Sequence, residues 1–443
     1  MEILIKAAQL ILSLSILIIL HELGHFIPAR LFKTRVEKFF LFFDAWGKKL
    51  FSIKKGETEY GIGWLPLGGY VKISGMIDES MDKEYLEKPA EPWEFRSKPA
   101  WQRLIIMLGG VIVNFILGFL IYIMILSVWG DDQVKVGDVH NGFAVSKTFK
   151  DLGFKNGDNI LNINGNEPEN ILSINEKLFL RNVETITVSH PNGSIETINI
   201  PKNIGEIMWT SGEMRPFKPR TTSIIDYVDE GSPANKAGLK EGDQIITANQ
   251  QPIKYWNELT DIIQSTLEPI KLEVLRNGQT LFIDVTPDEE NTIGIAQKES
   301  ILAAVTVTHK SFSLSESISG GFDKAYWKLK DYITQFKYVF TKKGAESLGG
   351  FISIGNHFSP TWDWHSFWNF TAFLSIMLGF MNLLPIPALD GGHVLFTLWE
   401  MISGKKPSDK FLEYAQIAGF VLLMSLLIYV NGNDIYKLFA GKM

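Results

Sequence analysis

His21-Glu22-Leu23-Gly24-His25 closes an apolar run in which residues 1–20 carry only Glu2, Lys6, Gln9, Ser13 and Ser15 as polar side chains. A run of that length is enough to cross a bilayer as a helix. Two His four residues apart lie one above the other on one helix face. Both rings can then reach a single ion at the ~2.0–2.1 Å of Zn–N bonds. Glu22, beside the first His, is placed to take a proton from a metal-activated water. The same spacing occurs on solvated helices that bind nothing. Here the helix is apolar, and ionisable groups at membrane depth are costly and usually functional. The flank His-Glu-Leu-Gly-His-Phe-Ile-Pro does not resemble a small-residue cleavage site, so the segment is expected to be retained.

Working outward, three more segments are apolar enough to span a membrane, giving four at about 3–26, 104–129, 367–384 and 411–430. Basic residues concentrate at 30–55 (Arg30, Lys33, Arg35, Lys38, Lys48, Lys49, Lys54 and Lys55 against Glu37 and Asp44). They recur at Lys405, Lys406 and Lys410. The positive-inside rule assigns both loops to the cytoplasm, and both termini and the 130–365 region to the outside. His21 then lies near the cytoplasmic end of its span. The chain of 443 residues exceeds one compact domain, and its net charge of −6 provides no basic stripe, so no nucleic-acid partner is expected. The absence of cysteine excludes disulfides, thiolate zinc sites and a Cys nucleophile.

Residues 57–76 are punctuated by Gly and Pro and contain short β-prone runs at 60–66 and 70–74. They suit either a hairpin or loop dipping toward the membrane or a plain cytoplasmic hairpin. Residues 78–100 are charged and Pro-punctuated, as in a surface loop. The outside region contains a repeat. The thirteen residues from Gly153 to Gly165 match those from Gly238 to Gln250 at a constant offset of 85, which suits two tandem small domains. In the second copy, alternating runs at 270–275 and 281–285 flank Asn277-Gly278, a hairpin signal, and 255–266 reads as a short helix. Ser232-Pro233-Ala234-Asn235-Lys236-Ala237-Gly238-Leu239 followed by Glu-Gly-Asp resembles the PDZ domains of bacterial envelope proteases. The first copy resembles them less closely. PDZ domains capture peptides on a sheet edge; the alternative is a pair of β-rich spacers. Residues 314–342 carry Ile318, Phe322, Tyr326, Leu329, Ile333, Phe336 and Val339 at helical spacing. They suit a helix on the outer membrane surface or one packed on a PDZ-like domain.

Two His leave a catalytic zinc one protein ligand short. Asn382-Leu383-Leu384-Pro385-Ile386-Pro387-Ala388-Leu389-Asp390-Gly391-Gly392-His393 supplies a candidate, since two prolines break an apolar helix just before Asp390. By the topology above, Asp390 lies at the membrane level of His21 and His25. It is either a metal ligand or the cap of a following helix. Together the two motifs resemble the site-2 protease family of intramembrane zinc metalloproteases, and the tandem PDZ-like copies make the chain most similar to its RseP type. The resemblance implies that His21, His25 and Asp390 hold Zn2+ and that Glu22 is the catalytic acid/base. The family's G-x-x-x-N pattern is matched by Gly110 and Asn114, and its membrane-associated β element by residues 66–72. Gly68, Tyr70, Val71 and Lys72 of that element, with Asn382, are then expected to bind substrate. One departure is visible: where relatives usually carry Gly-Pro-Ile, this chain has Gly350-Phe351-Ile352, which bears on how the outside region docks.

The fold implied is a polytopic α-helical membrane protein of about four transmembrane helices, with a membrane-associated β-hairpin and two extracytoplasmic β-rich PDZ-like domains. Its divisions are a membrane core at 1–129, PDZ-like domains at 130–215 and 216–290, a connector at 291–365 and a second membrane core at 366–443. The function implied is cleavage of the transmembrane segments of single-span membrane proteins, such as anti-sigma factors or remnant signal peptides, in the bacterial inner membrane. An upstream site-1-type protease trims the same substrate first. A membrane zinc transporter or an inactive scaffold would need neither Glu22 nor, for the transporter, the PDZ-like copies.

Overall fold

The computed structural model describes all residues except 67, 77–88, 298–299 and 441–443. Leu67 of the β element and residues 78–88 of the expected surface loop therefore lie outside the described residues. The chain forms two compact units, Met1–Gly130 with Ser311–Met443, and Asp131–Lys310.

The first unit opens with α1 (Glu2–Leu31), which runs past the expected end at 26 and through Pro28. Proline has no N–H for the carbonyl four residues back. That carbonyl belongs to Gly24, where another helix approaches. A four-stranded sheet follows: β1 (Val36–Leu41), β2 (Lys49–Lys55), β3 (Thr58–Gly63) and β4 (Tyr70–Ile73). Its order is β2-β3-β1-β4. The runs at 60–66 and 70–74 do not form a hairpin with each other, contrary to expectation. β1 lies between β3 and β4, parallel to the first and antiparallel to the second, so the two runs do not pair. The hairpin joins β2 to β3 instead, turning at Gly56. After β3, Leu65 bridges Phe43, and β4 lies on the far side of β1 from β3. β4 thus forms an edge of the sheet, with one row of backbone groups facing outward. α2 (Ala100–Trp129) ends at Gly130, whose φ of 67° suits only a residue without Cβ.

In the second unit β5 (Asp131–Gln133) and β6 (Phe143–Val145) precede the first repeat copy: β7 (Asn159–Ile163), α3 (Ile174–Leu180), β8 (Thr185–Ser189) and β9 (Ile195–Asn199). β10 (Phe217–Pro219) pairs with β6, and Phe217 belongs to the first core. The first module therefore extends past the expected boundary at 215. The second copy has β11 (Gln244–Ala248), α4 (Trp256–Gln264), β12 (Ile270–Arg276) and β13 (Gln279–Val285). Its hairpin turns at Asn277 and Gly278, both at positive φ. The copies are alike down to single side chains. Asp158 and Asp243 each accept the amide three residues earlier, from Lys155 and Lys240, at 2.8 Å. Asn164 and Asn249 both take a left-handed φ near 50° (52° and 49°) and cap the following strand's amides. β14 (Thr308–Lys310) returns to pair with β5, and Val305 enters the first core. The expected 291–365 connector is thus divided at 310, its first part completing the first module.

Back in the first unit, α5 (Leu314–Phe336) is capped by Ser313 and Glu316. It packs on α2 within the first unit. The contact is made by small residues: Ser317, Gly321 and Ala325 are buried, and a Cβ on Gly321 would sit 2.7 Å from the Ile123 amide nitrogen. Of the expected apolar stripe, Ile318, Phe322, Tyr326 and Ile333 are about half exposed, whereas Leu329, Phe336 and Val339 are partly buried. α6 (Trp364–Leu383) is capped by Asp363 and stops before Pro385. α7 (Asp390–Ser403) and α8 (Asp409–Phe439) complete the chain. The departure at 350–352 docks onto α8: Phe351 donates its amide to Asn431 at 3.2 Å, and Ser353 to Asp434 at 2.9 Å. Among the described residues α1, α2, α6 and α8 are long and apolar enough to cross a membrane.

Candidate metal centre

The stripe of α1 that faces inward is Gln9, Ser13, Leu17, His21 and His25, all buried. α2 crosses α1 glycine on glycine. A Cβ on Gly24 would meet the Gly109 carbonyl at 2.4 Å, and one on Gly109 the Gly24 carbonyl at 1.9 Å. One residue on, a Cβ on Gly110 would lie 2.4 Å from His25 Nε2. The two glycines of α2 therefore leave room for the imidazoles between the helices. The outer ring nitrogens are held by α2: His25 Nδ1 lies 2.8 Å from the Ile106 carbonyl, and His21 Nδ1 lies 3.0 Å from the Asn114 amide group.

The third side chain arrives from the broken helix. Pro385 and Pro387 shape the turn between α6 and α7, and Asp390 is the first residue of α7. Its carboxylate turns to the imidazoles. His21 Nε2 and His25 Nε2 are 3.2 Å apart, and Asp390 Oδ2 lies 3.3 and 3.4 Å from them. A tetrahedral ion with bonds of ~2.0–2.1 Å has ligand–ligand edges of about 3.3–3.4 Å. Asp390 Oδ2 is buried and accepts no hydrogen bond of acceptable geometry. The donor set, its spacing and this orphaned oxygen fit a zinc-like cation. Among the described residues this is the single cluster of His and carboxylate groups with such convergence.

The three converge on a cavity of about 810 Å³ that Glu22, Gly68, Tyr70, Val71, Lys72 and Asn382 also line. All nine residues expected at the site are thus brought together. They differ in what they offer. The Val71 backbone amide faces the Glu22 carboxyl, so that amide points away from β1. The Tyr70 hydroxyl donates to Asp44 at 2.7 Å, and Lys72 pairs with Glu37 at 3.5 Å. Asn382 Nδ2 is 3.4 Å from His21 Nε2 and points at the ligand atoms. Sequence reasoning missed the Ile106 carbonyl, for which no side-chain signal exists. It also missed Gln416 of α8, whose Oε1 accepts the Ala388 amide at 3.1 Å beside Asp390. A lone Gln in an apolar span was the available signal.

The sequence profile of peptidase family M50 matches residues 9–426. The chain belongs to peptidase family M50. Similar curated proteins span it almost end to end. The "Regulator of sigma E protease" of Haemophilus influenzae is 29% identical over 99% of this chain and 100% of that one. The "Regulator of sigma-E protease RseP" of Escherichia coli K12 is 28% identical over 97% and 98%. A protein of Neisseria meningitidis serogroup A named "Putative zinc metalloprotease" is 30% identical over 97% and 98%. Membership of M50 makes the chain a peptidase, which sets aside the transporter reading. The motif His21-Glu22-Leu23-Gly24-His25 and Asp390 both fall within the M50 match.

Proposed function

We propose that this M50 peptidase is a zinc-dependent intramembrane protease of the sigma-E type, with His21, His25 and Asp390 holding the metal and Glu22 acting as acid/base. The observation that carries the reading is the triangle of Nε2, Nε2 and Oδ2 atoms, 3.2–3.4 Å on each edge, opening on the cavity that Glu22 lines. The chemistry that a bound zinc supplies is Lewis acidity toward water and toward a carbonyl oxygen. Glu22 accepts the proton of the attacking water and passes it to the departing amine nitrogen. Ile106 and Asn114 keep the two rings aimed.

A helical substrate hides its carbonyls in i→i−4 bonds and must be opened before attack. The outward edge of β4 borders the cavity, so a strand of substrate laid along it would exchange lost helix bonds for ladder bonds. This assigns Gly68, Tyr70, Val71 and Lys72 a backbone role, and Asn382 a place beside the scissile group. Gly68 has a φ of 154°, and a Cβ on it would sit 2.9 Å from the Phe43 ring. The substrates proposed are single-span membrane proteins, anti-sigma factors or remnant signal peptides, first trimmed by an upstream protease. The chain lies in the bacterial inner membrane with its termini and the Asp131–Lys310 unit periplasmic and the metal near the cytoplasmic side. The two repeat modules are PDZ-like and limit which substrates reach the membrane core.

Metal analysis and cleavage of a transmembrane peptide by the purified protein test the reading. Stoichiometric zinc in wild type and in Glu22→Gln, with turnover lost only in the variant, is expected. Cleavage by Glu22→Gln at the wild-type rate would refute the role of Glu22.

A further inference from the structure

The three ligand side chains rest on unequal backbone. His21 and His25 lie mid-helix, whereas Asp390 follows a turn that is not helical. Two residues before it, Ala388 has a φ of 78°, in the left-handed region that side chains with a Cβ rarely adopt. Something must hold it there. The Ala388 amide donates to the buried Gln416 Oε1 at 3.1 Å. Three residues along α8, a Cβ on Gly419 would sit 1.7 Å from the Pro387 carbonyl oxygen, so only glycine lets α8 lie against the turn. Along its apolar length α8 is the least embedded of the four spanning helices, 11% buried against 22% for α1 and 39% for α2 and α6. Its hold on the turn is thus a specific contact, distinct from general core filling.

We propose that Gln416 is a positioning residue for Asp390, acting through the Ala388 amide to keep the turn left-handed and the Asp390 carboxylate against the two imidazoles. The inference rests on the reading of Asp390 as a metal ligand. Without the Gln416 acceptor, Ala388 relaxes toward ordinary backbone and carries Asp390 Oδ2 away from the Nε2 atoms. The position of α8 and the shape of the metal site are therefore coupled through one hydrogen bond.

Zinc affinity, measured by chelator competition on the purified full chain, tests this with three variants. Gln416→Met keeps the length of the side chain and removes the acceptor. Gln416→Met with Ala388→Gly adds a residue that takes positive φ without a Cβ clash. Asp390→Ala is the control for the ligand assignment. Partners that orient metal ligands typically contribute roughly 10–100-fold in affinity. Gln416→Met is expected to weaken zinc binding within that range, and the added Ala388→Gly to restore most of it. Wild-type affinity in Gln416→Met, with affinity lost in Asp390→Ala, would overturn the inference and leave the ligand assignment intact. A loss that Ala388→Gly does not restore would overturn it as well, because the deficit would then come from packing of α8. Wild-type affinity in Asp390→Ala would remove the ligand assignment and this inference together.

Discussion

A zinc-binding imidazole that uses Nε2 keeps its proton on Nδ1, and that proton needs an acceptor. His25 finds one in the Ile106 carbonyl at 2.8 Å. His21 faces Asn114, whose Oδ1 is buried and has no other partner. With the amide turned so that Oδ1 meets Nδ1–H, the ring is fixed in the metal-binding tautomer and the orphaned oxygen is satisfied at once. Asn114→Leu should therefore weaken zinc binding by roughly 10–100-fold, whereas Asn114→Asp, which keeps an acceptor at the same place, should retain most of it. Equal affinity in Asn114→Leu and wild type would show that His21 needs no such partner. Asn114 was visible in the sequence as the lone amide of an apolar span, but the ring it serves lies 93 residues earlier. Only the crossing of α1 and α2 identifies that ring.

At the scale of elements, the helices were far more legible than the sheet. A spanning helix announces itself by twenty apolar residues, and the observed bounds of α1, α2, α6 and α8 differ from the expected ones mainly at their polar ends. Capping and packing, not hydropathy, set those ends. β1 went unseen because Lys38 and Glu37 made the stretch look like part of a charged loop. β4 was seen, but its neighbour was not, since strand order is decided by a crossover that no local pattern encodes. The correction matters for mechanism. As an edge strand next to β1, β4 turns the Val71 amide toward Glu22 and the cavity. Val71→Pro removes that donor without removing a bond of the sheet. Cleavage of a transmembrane peptide should fall while zinc stays bound, and substrates with Gly or Pro near the cut should suffer least, their helices being easier to open. Unchanged turnover in Val71→Pro would mean that substrate is opened elsewhere. On α5 the stripe of large side chains suited either the membrane surface or a PDZ-like neighbour. The helix instead buries its small residues, because only these let it reach the backbone of α2.

Across the whole molecule, the repeat supplies its own control for a pH experiment. In the first copy the buried Asp158 pairs with His190 at 2.7 Å; in the second the buried Asp243 pairs with Arg276 at 2.7 Å. Hydrogen bonds to Glu196 and Asp158 hold the His190 imidazole above its ordinary range, against the opposing effects of burial and of Lys155. Its stabilisation is thus complete below the unfolded value of ~6.5 and is lost as pH rises through the raised folded value. Arg276 keeps its charge throughout. Amide exchange, corrected for intrinsic rates, should show protection of β8 and β9 falling with rising pH while β12 and β13 do not follow, and His190→Gln should abolish the difference. Parallel pH profiles in the two copies would count against the pairing. A last consequence comes from β5 and β14. Because Asp131 lies opposite Lys310 across one antiparallel pair, the backbone departs at Gly130 and re-enters at Ser311 about one strand spacing away. The 180 residues from Asp131 to Lys310 form a cassette whose two ends are paired with each other. Replacing Asp131–Lys310 by a few glycines and serines should leave a membrane core that still binds zinc and cuts short transmembrane peptides, now accepting untrimmed ones. Failure of that shortened chain to retain zinc would show that the cassette is structural. Success would mean that the membrane core and the cassette can be exchanged separately, by a laboratory graft or by recombination at two points that are distant in the gene but adjacent in the fold.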